Sequence, residues 1–269
     1  MTETIGVGIV TYKRPEYIKT LLETFPFDYV DEVIVVDDDP NSEFTPLDVE
    51  SRDYHYHRNP YNLGVGRSKN ICARHLLNRN CKHIFLVEDD VQLLDPGVFQ
   101  KYIDTAYASG IYHLSFGHVG GPLNEQIKLK RQYPDGNGIQ CYHNPQGSFC
   151  YFLNTLFTKI GMFDEAYVNA FEHIDYEYTL IRKGLLPPFW YFPDVADSDR
   201  YLKIVDGGEA NSSITNKGNY TTNWQAGAQH FIDKWQTFTN KIPDEGTEKA
   251  NEQLDFLYNT YSRENRNRS

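Results

Sequence analysis

The sequence predicts an α/β protein built on a mostly parallel sheet flanked by helices, with a helical extension at its C-terminal end. Two short, wholly apolar runs, Val-Ile-Val-Val at residues 33–36 and Ile-Phe-Leu-Val at residues 84–87, are of the kind that lies buried on both faces of a parallel sheet. Stretches with apolar residues at helical spacing alternate with such runs, and the order strand–helix–strand–helix–strand builds a parallel sheet. Both runs also end abruptly in acids, Asp37, Asp38 and Asp39 after the first and Glu88, Asp89 and Asp90 after the second. Parallel strands carry both clusters to the same edge, where ligands bind in open α/β sheets.

The elements follow in order. Residues 5–12 read as the first strand. Pro15 suits the first turn of a helix, and Tyr17, Ile18, Leu21, Leu22 and Phe25 recur at helical spacing through it. Residues 33–36 form the second strand and 54–57 a third. Asn62-Leu63-Gly64-Val65-Gly66 is a turn that leads into a helix over 67–78. The strand 84–87 follows, then a helix over 96–108 and a strand over 112–116. From Gly117 the texture changes. Gly120, Gly121, Gly136, Gly138 and Gly147 punctuate loops around short strands at 139–142 and 149–153. Ile174, Tyr178 and Ile181 mark an amphipathic helix closed by Gly184. Residues 206–223 are polar and rich in Gly and Asn, which predicts a mobile loop. Helices are expected over 224–239 and 248–261, the second with a stripe of Leu254, Leu257, Tyr258 and Tyr261. The charged tail 263–269 is expected to fray. Neither an internal repeat nor a linker divides the chain, so one domain over 1–269 is expected.

Composition narrows the function. The chain has 269 residues and a net charge of −11, from 37 acids against 26 bases. That balance argues against a nucleic-acid partner, which wants a basic face. Cys72, Cys81, Cys141 and Cys150 show no CxxC pairing, so buried free thiols in a reducing compartment are expected. The N-terminus has neither the basic region nor the apolar stretch of a signal peptide. No window approaches the roughly 18 apolar residues of a membrane span. A cytoplasmic protein is the expectation.

The acids at 88–90 repel one another, so folding alone gives no reason for them. A divalent cation does, because hard oxygen ligands suit Mg²⁺ or Mn²⁺, which in turn bridge phosphates. The plain alternative is a solvated acidic turn. Glycines at 64 and 66 permit close backbone approach to a ligand, or mark only a turn.

Five pieces stand in order: Val10-Thr11-Tyr12-Lys13-Arg14-Pro15; Val35-Val36-Asp37-Asp38; Asn62-Leu63-Gly64-Val65-Gly66-Arg67-Ser68-Lys69-Asn70; Leu86-Val87-Glu88-Asp89-Asp90; and Gly161-Met162-Phe163-Asp164-Glu165 with Phe171-Glu172-His173-Ile174-Asp175. Together they resemble the family 2 nucleotide-sugar glycosyltransferases of the GT-A fold, over roughly the first 185 residues. The resemblance implies a Rossmann-like GT-A sheet. Residues 1–116 would form the nucleotide-sugar-binding half, 117–223 the acceptor half and 224–269 C-terminal helices.

The resemblance also implies roles. Thr11, Tyr12, Arg14, Asp37 and Asp38 would grip the nucleobase and ribose, which favours a uridine donor. Asn62, Gly64, Arg67 and Asn70 would approach the nucleotide. Glu88-Asp89-Asp90 matches the family's Asp-x-Asp, with Glu88 in place of the first Asp. Asp90, with Glu88, would hold Mn²⁺ or Mg²⁺; Glu88 would also reach the ribose. Asp89 is carried over with the nucleotide-binding set, its side chain turned from the metal. The family's general base falls among Glu172, Asp175 and His173. The register puts His173 at the usual base position, and the candidates for the base rank Glu172 first, then Asp175, then His173. His173 or His230 is an additional possibility as a metal ligand. Gln146, Ser148, residues 207–219 and 224–234 would form the acceptor side. The implied activity is transfer of a sugar, with inversion, from a nucleotide-diphosphate donor, UDP-linked by preference, to a hydroxyl of a glycan or polysaccharide. The rival readings are a nucleotidyltransferase, a nucleotide-sugar-binding module without catalysis, and a transferase acting on modified DNA bases.

Overall fold

The structure is a computed structural model; residues 3–46, 54–117, 127–205 and 220–263 are described. Gly120, Gly121, the acceptor-side residues 207–219, most of the expected 206–223 loop and residues 264–269 of the tail lie outside the described residues.

Strands β1 (Ile5–Thr11), β2 (Glu32–Asp37), β3 (His55–Arg58) and β4 (His83–Glu88) run parallel in the order β3-β2-β1-β4. The six residues of β2 and of β4 are buried but for the first of β2 and the last of β4, as continuous apolar runs require. Helix α1 (Pro15–Thr24) follows β1, and α2 (Val65–Asn78) carries the chain from β3 to β4. Pro15 takes the first helical position of α1, whose buried face is Ile18, Leu21 and Leu22.

Two further strands complete the main sheet. Strand β9 (Phe149–Leu153) pairs antiparallel with β4, and β6 (His113–Ser115) antiparallel with β9, which gives the order β3-β2-β1-β4-β9-β6. The sheet is therefore mostly parallel. Four short strands escaped the sequence reading. Strand β5 (Val91–Leu93) pairs with β11 (Leu202–Ile204). Strands β7 (Ile127–Gln132), β8 (Gly138–Tyr142) and β10 (Phe192–Val195) form a second sheet of order β10-β8-β7, of which only β8 was expected.

Helix α3 (Val98–Ser109) ends at Gly110, in the left-handed conformation with φ 77°. A Cβ at Gly110 would lie 2.3 Å from the Leu257 carbonyl oxygen. That residue belongs to α7 (Gly246–Tyr261), whose Leu254 and Leu257 are buried and whose Tyr261 carbonyl accepts the Tyr112 hydroxyl at 2.6 Å. Helix α4 (Thr155–Ile160) follows β9; α5 (Glu172–Arg182) and α6 (Tyr220–Trp235) pack through a smaller apolar cluster of Tyr167, Phe171, Ala228 and Phe231. The four cysteines are free and buried. Among the described residues no helix is long and apolar enough to cross a membrane.

Candidate active site

The register fixes where the acids stand. Thr11 lies opposite Asp37, and Val10 opposite Glu88. The ends of β1, β2 and β4 thus meet at one edge of the sheet, as the sequence predicts.

At the end of β4 each acid finds a different partner. Glu88 accepts a hydrogen bond from Lys69 Nζ at 2.8 Å. Asp89 is enclosed, accepting the Thr11 hydroxyl at 2.5 Å and ion-paired with the Arg14 guanidinium. Burial pushes its carboxyl up to about 7 against the pull of Arg14. Asp90 accepts from Arg14 Nη1 at 3.0 Å. Burial works against the charge on Arg14, but these acids raise its pKa above the ordinary arginine value. Glu88 and Asp90 keep 27% and 12% of their side chains exposed while Asp89 keeps none, so the two expected metal ligands are the ones within reach of solvent. Two carboxylates completed by substrate phosphates suit Mg²⁺ or Mn²⁺, which rarely sit in all-protein cages. An ion at Asp90 must compete with the Arg14 guanidinium.

The second acid cluster is engaged by protein donors. Asp37 is fully buried; its Oδ2 accepts the Tyr56 hydroxyl at 2.9 Å and its Oδ1 the Asp39 amide at 3.0 Å. Asp38 Oδ1 accepts from Asn59 Nδ2 and the Leu63 amide, both at 2.7 Å, and Oδ2 from the Gly64 amide at 2.8 Å. The carboxylate assigned to the nucleobase therefore anchors the turn that starts α2. Of the β1-end residues, Tyr12 is half-buried with Lys13 Nζ 5.1 Å from its ring centre.

The glycine turn approaches the Val168 backbone. Gly64 has φ 89°, and a Cβ there would lie 2.2 Å from the Val168 carbonyl oxygen. Asn62 Oδ1 accepts the Gly64 amide at 2.9 Å. Within α2, Asn70 donates to the Phe163 carbonyl at 2.9 Å and accepts the Phe163 amide at 3.0 Å. Arg67 Nε donates to the Glu165 carbonyl at 3.2 Å. Asn70 and Arg67 thus hold the Gly161–Glu165 motif in place, a role the sequence reading did not give them.

This docking carries Lys69 into the interior. Its side chain is 1% exposed, and Nζ reaches Glu88 at 2.8 Å, the Gly147 carbonyl at 2.9 Å and Glu172 Oε1 at 3.4 Å. Burial opposes the charge, but Glu88 and Glu172 raise the Lys69 pKa above the ordinary lysine range. The sequence did offer a signal. Lys69, Cys72, Ala73 and Leu76 share one face of α2 and all are buried, and a lysine on a buried face needs an acid partner.

Glu172 opens α5 just after Phe171, which holds a left-handed φ of 73°. Strain of this kind collects at functional sites; here Trp224, Phe231 and Phe238 pack around the Phe171 ring. Glu172 Oε1 also pairs with His173 Nδ1 at 3.2 Å. Burial alone would raise the Glu172 carboxyl, yet His173 and Lys69 hold it down to about 2. His173 moves the other way: burial lowers it, and Glu172 outweighs burial and raises it. Asp175 faces away, toward α6, accepting from Lys234 Nζ at 2.8 Å, Trp235 Nε1 at 2.7 Å and the Tyr167 hydroxyl at 3.1 Å. Asp175, the second-ranked candidate for the base, is thus engaged by three protein donors. His230 pairs with Asp164 at 3.0 Å rather than with the β4 acids.

Gly147 sits against this group; a Cβ there would be 3.0 Å from Lys69 Nζ and 3.1 Å from His173 Nδ1. Its neighbours Gln146 and Ser148, expected on the acceptor side, carry buried side-chain atoms, Nε2 and Oγ, with no hydrogen-bond partner among the described residues.

No family model matches the chain. The chain is similar to an uncharacterized glycosyltransferase of Acanthamoeba polyphaga mimivirus, 26% identical over 254 residues, covering 88% of this chain and 95% of that protein. It is similar in structure to residues 1–349 of TarS from S. aureus, with a TM-score of 0.51 and 13% identity over 97% of this chain and 73% of that one. It is also similar to GalNAc-T7, solved with UDP, GalNAc and Mn²⁺, with a TM-score of 0.53 and 11% identity; 97% of this chain spans 55% of that one. The chain has the GT-A fold, and its likeness in sequence to a glycosyltransferase holds along most of its length.

Proposed function

We propose that this chain, a glycosyltransferase by sequence likeness and fold, transfers a sugar with inversion from a nucleotide-diphosphate donor to a hydroxyl acceptor, with UDP as the favoured nucleotide. The observation that carries the reading is the junction of Glu88, Lys69, Glu172 and His173, which ties the acid-bearing end of β4 to the first turn of α5. Glu88 and Asp90 would hold Mn²⁺ or Mg²⁺. Such an ion neutralises charge on a departing diphosphate.

The proton falls to His173 rather than Glu172. The Glu172 carboxylate is already engaged by Lys69 Nζ and His173 Nδ1, whereas an imidazole oriented by a carboxylate is a good base. With the Nδ1 proton donated to Glu172, the Nε2 lone pair is left to take the acceptor's proton. The acceptor oxygen bonds to C1 as the C1–O bond to the diphosphate breaks on the opposite face. Lys69 fixes Glu172, and Glu172 fixes the ring. The free thiols suit a reducing, cytoplasmic setting, and a glycan hydroxyl is the acceptor class the resemblance favours.

The deciding experiment incubates the purified chain with a panel of UDP- and GDP-sugars, with and without Mn²⁺, and measures nucleotide release. Mn²⁺-dependent release from a UDP-sugar is expected, since transferases leak donor to water. Binding of a UDP-sugar without release under any condition makes the chain a binding module instead. Failure of every donor to bind refutes the nucleotide assignment.

A further inference from the structure

At the sheet edge remote from the acids, three side chains from three elements meet. Glu32 starts β2, His55 starts β3, and His75 stands in the last turn of α2. The strands are parallel, so their first residues share one edge, and α2 returns the chain to that edge. Along β2, five steps of about 3.3 Å place Glu32 roughly 17 Å from Asp37. This group is therefore separate from Glu88 and Asp90.

Both imidazoles turn the same nitrogen toward the same oxygen. His75 Nε2 lies 2.9 Å from Glu32 Oε1, and His55 Nε2 lies 3.1 Å from it. The rings stand 4.6 Å apart at 52°. The three ligand atoms all lie within 4.8 Å of one another. An ion about 2.0–2.1 Å from each of three tetrahedral ligands would set them about 3.3–3.4 Å apart, so the two contacts to Glu32 need to open by only a few tenths of an ångström.

The hydrogen bonding around His55 Nε2 is in conflict even with the Arg79 guanidinium beside it. Arg79 Nη2 lies 2.8 Å from His55 Nε2 and Arg79 Nε 3.4 Å from Glu32 Oε2. An arginine can only donate, so His55 Nε2 must offer its lone pair. That same nitrogen faces a carboxylate oxygen, which also offers only lone pairs. A cation accepting from both removes the conflict. Arg79 and His55 are half exposed, so the guanidinium has room to swing aside. Cys81, nearby, is no rival ligand: it is 1% exposed, and burial pushes its thiol up to about 11, with Glu32 and Asp31 adding to the rise.

We propose that Glu32, His55 and His75 form a second metal site, taking a transition-metal dication of the zinc type through two imidazole nitrogens and one carboxylate oxygen. This donor set selects zinc over magnesium or manganese, which prefer all-oxygen sites. An ion here would staple the starts of β2 and β3 to the end of α2. The site rests on its own geometry and stands whether or not the proposed transfer reaction does.

The test is titration of the purified chain with Zn²⁺ alone, read by calorimetry and by thermal melting. One bound zinc and a raised melting temperature are expected. Removal of a mere supporting partner weakens metal sites about 10–100-fold, so loss of a ligand in His75→Ala or His55→Ala should cost about 100-fold or more. Arg79→Ala should bind zinc more tightly, because it removes the competing cation. Asp90→Asn should bind zinc as the parent does. Circular dichroism of each apo variant confirms folding. No zinc binding, unchanged binding in both histidine variants, or binding lost in Asp90→Asn would each overturn the site.

Discussion

Lys69 and Glu172 form a buried ion pair, Nζ to Oε1 3.4 Å, across the seam where α2 meets α5. The same ammonium holds Glu88 at 2.8 Å, so one charge restrains two carboxylates from distant parts of the chain. Lys69→Met leaves Glu88 and Glu172 facing each other without a cation. Stability should fall by about 3–5 kcal/mol, read as a lower urea midpoint at an unchanged slope. A loss below about 1 kcal/mol would show that the carboxylates relax into solvent.

The division of labour between His173 and Glu172 is open to kinetics. His173→Gln should retain UDP-sugar affinity and lose at least about a hundredfold in kcat, the contribution of a well-placed base. Glu172→Gln should lose less, since it orients the base without taking the proton. Full activity in His173→Gln alongside an inactive Glu172→Gln would return the role to the acid.

The same pair sets a pH response. Burial lowers His173, Glu172 beside it outweighs this, and Lys69 and Glu177 pull in opposite senses; the net shift is upward. The base works only when neutral, so kcat should rise with pH through a value above the ordinary histidine 6.5 or so. In Glu172→Gln that limb should move to lower pH. For stability the signs differ. The raised His173 contributes fully below its unfolded pKa, and this is lost as pH rises through the folded value. The depressed Glu172 contributes above about 4.5 and loses it as pH falls toward about 2. A pH–rate profile unmoved by Glu172→Gln would separate the two residues.

Asp38 should now behave as an anchor. Its carboxylate collects the Asn59 side chain and the Leu63 and Gly64 amides. Asp38→Ala strands those donors, and a lost charged hydrogen bond is worth about 1.5–3 kcal/mol. Thermal or urea unfolding should register a loss of that order. A variant of parental stability but weakened UDP binding would restore the nucleobase role that the sequence alone suggests.

Asp90→Asn removes one of the two carboxylates that face Arg14 and no packing. It should fold normally and lose Mn²⁺-dependent donor turnover, as should the parent chain in EDTA. Full turnover in EDTA would dissociate the reaction from a divalent ion.

Much of the architecture is legible before any coordinates. Runs such as 33–36 and 84–87 have no way to be satisfied except inside a sheet, and Pro15 and Gly184 punctuate helices for conformational reasons. Strands of three or four residues, β5, β10 and β11, are too short to show a period, so only their partners define them. The shared edge of the strand ends was legible, but the partners of each side chain were not. Sequence shows that a strand ends in carboxylates. It does not show which donors a loop brings back to them. Asp37, Asp38, Asn70 and Asp175 are polar groups at the right edge, yet each is taken up by an amide, an amine or a hydroxyl of the protein itself. Lys69 lies within the 62–70 motif, and a cation on the Cys72–Leu76 face of a helix is the signal that marks the centre of the candidate site.

The contact between Gly110 and Leu257 has a practical side. With a carbonyl where a side chain at 110 would have to go, α7 is as much a part of the body as any strand. Shortened versions of the protein made for crystallisation or display therefore have little to gain from cutting before Gly246. They would uncover the side of α3 that Leu254 and Leu257 cover and trade a globule for a sticky one. A fusion partner is better joined beyond residue 263, where the clasp stays shut.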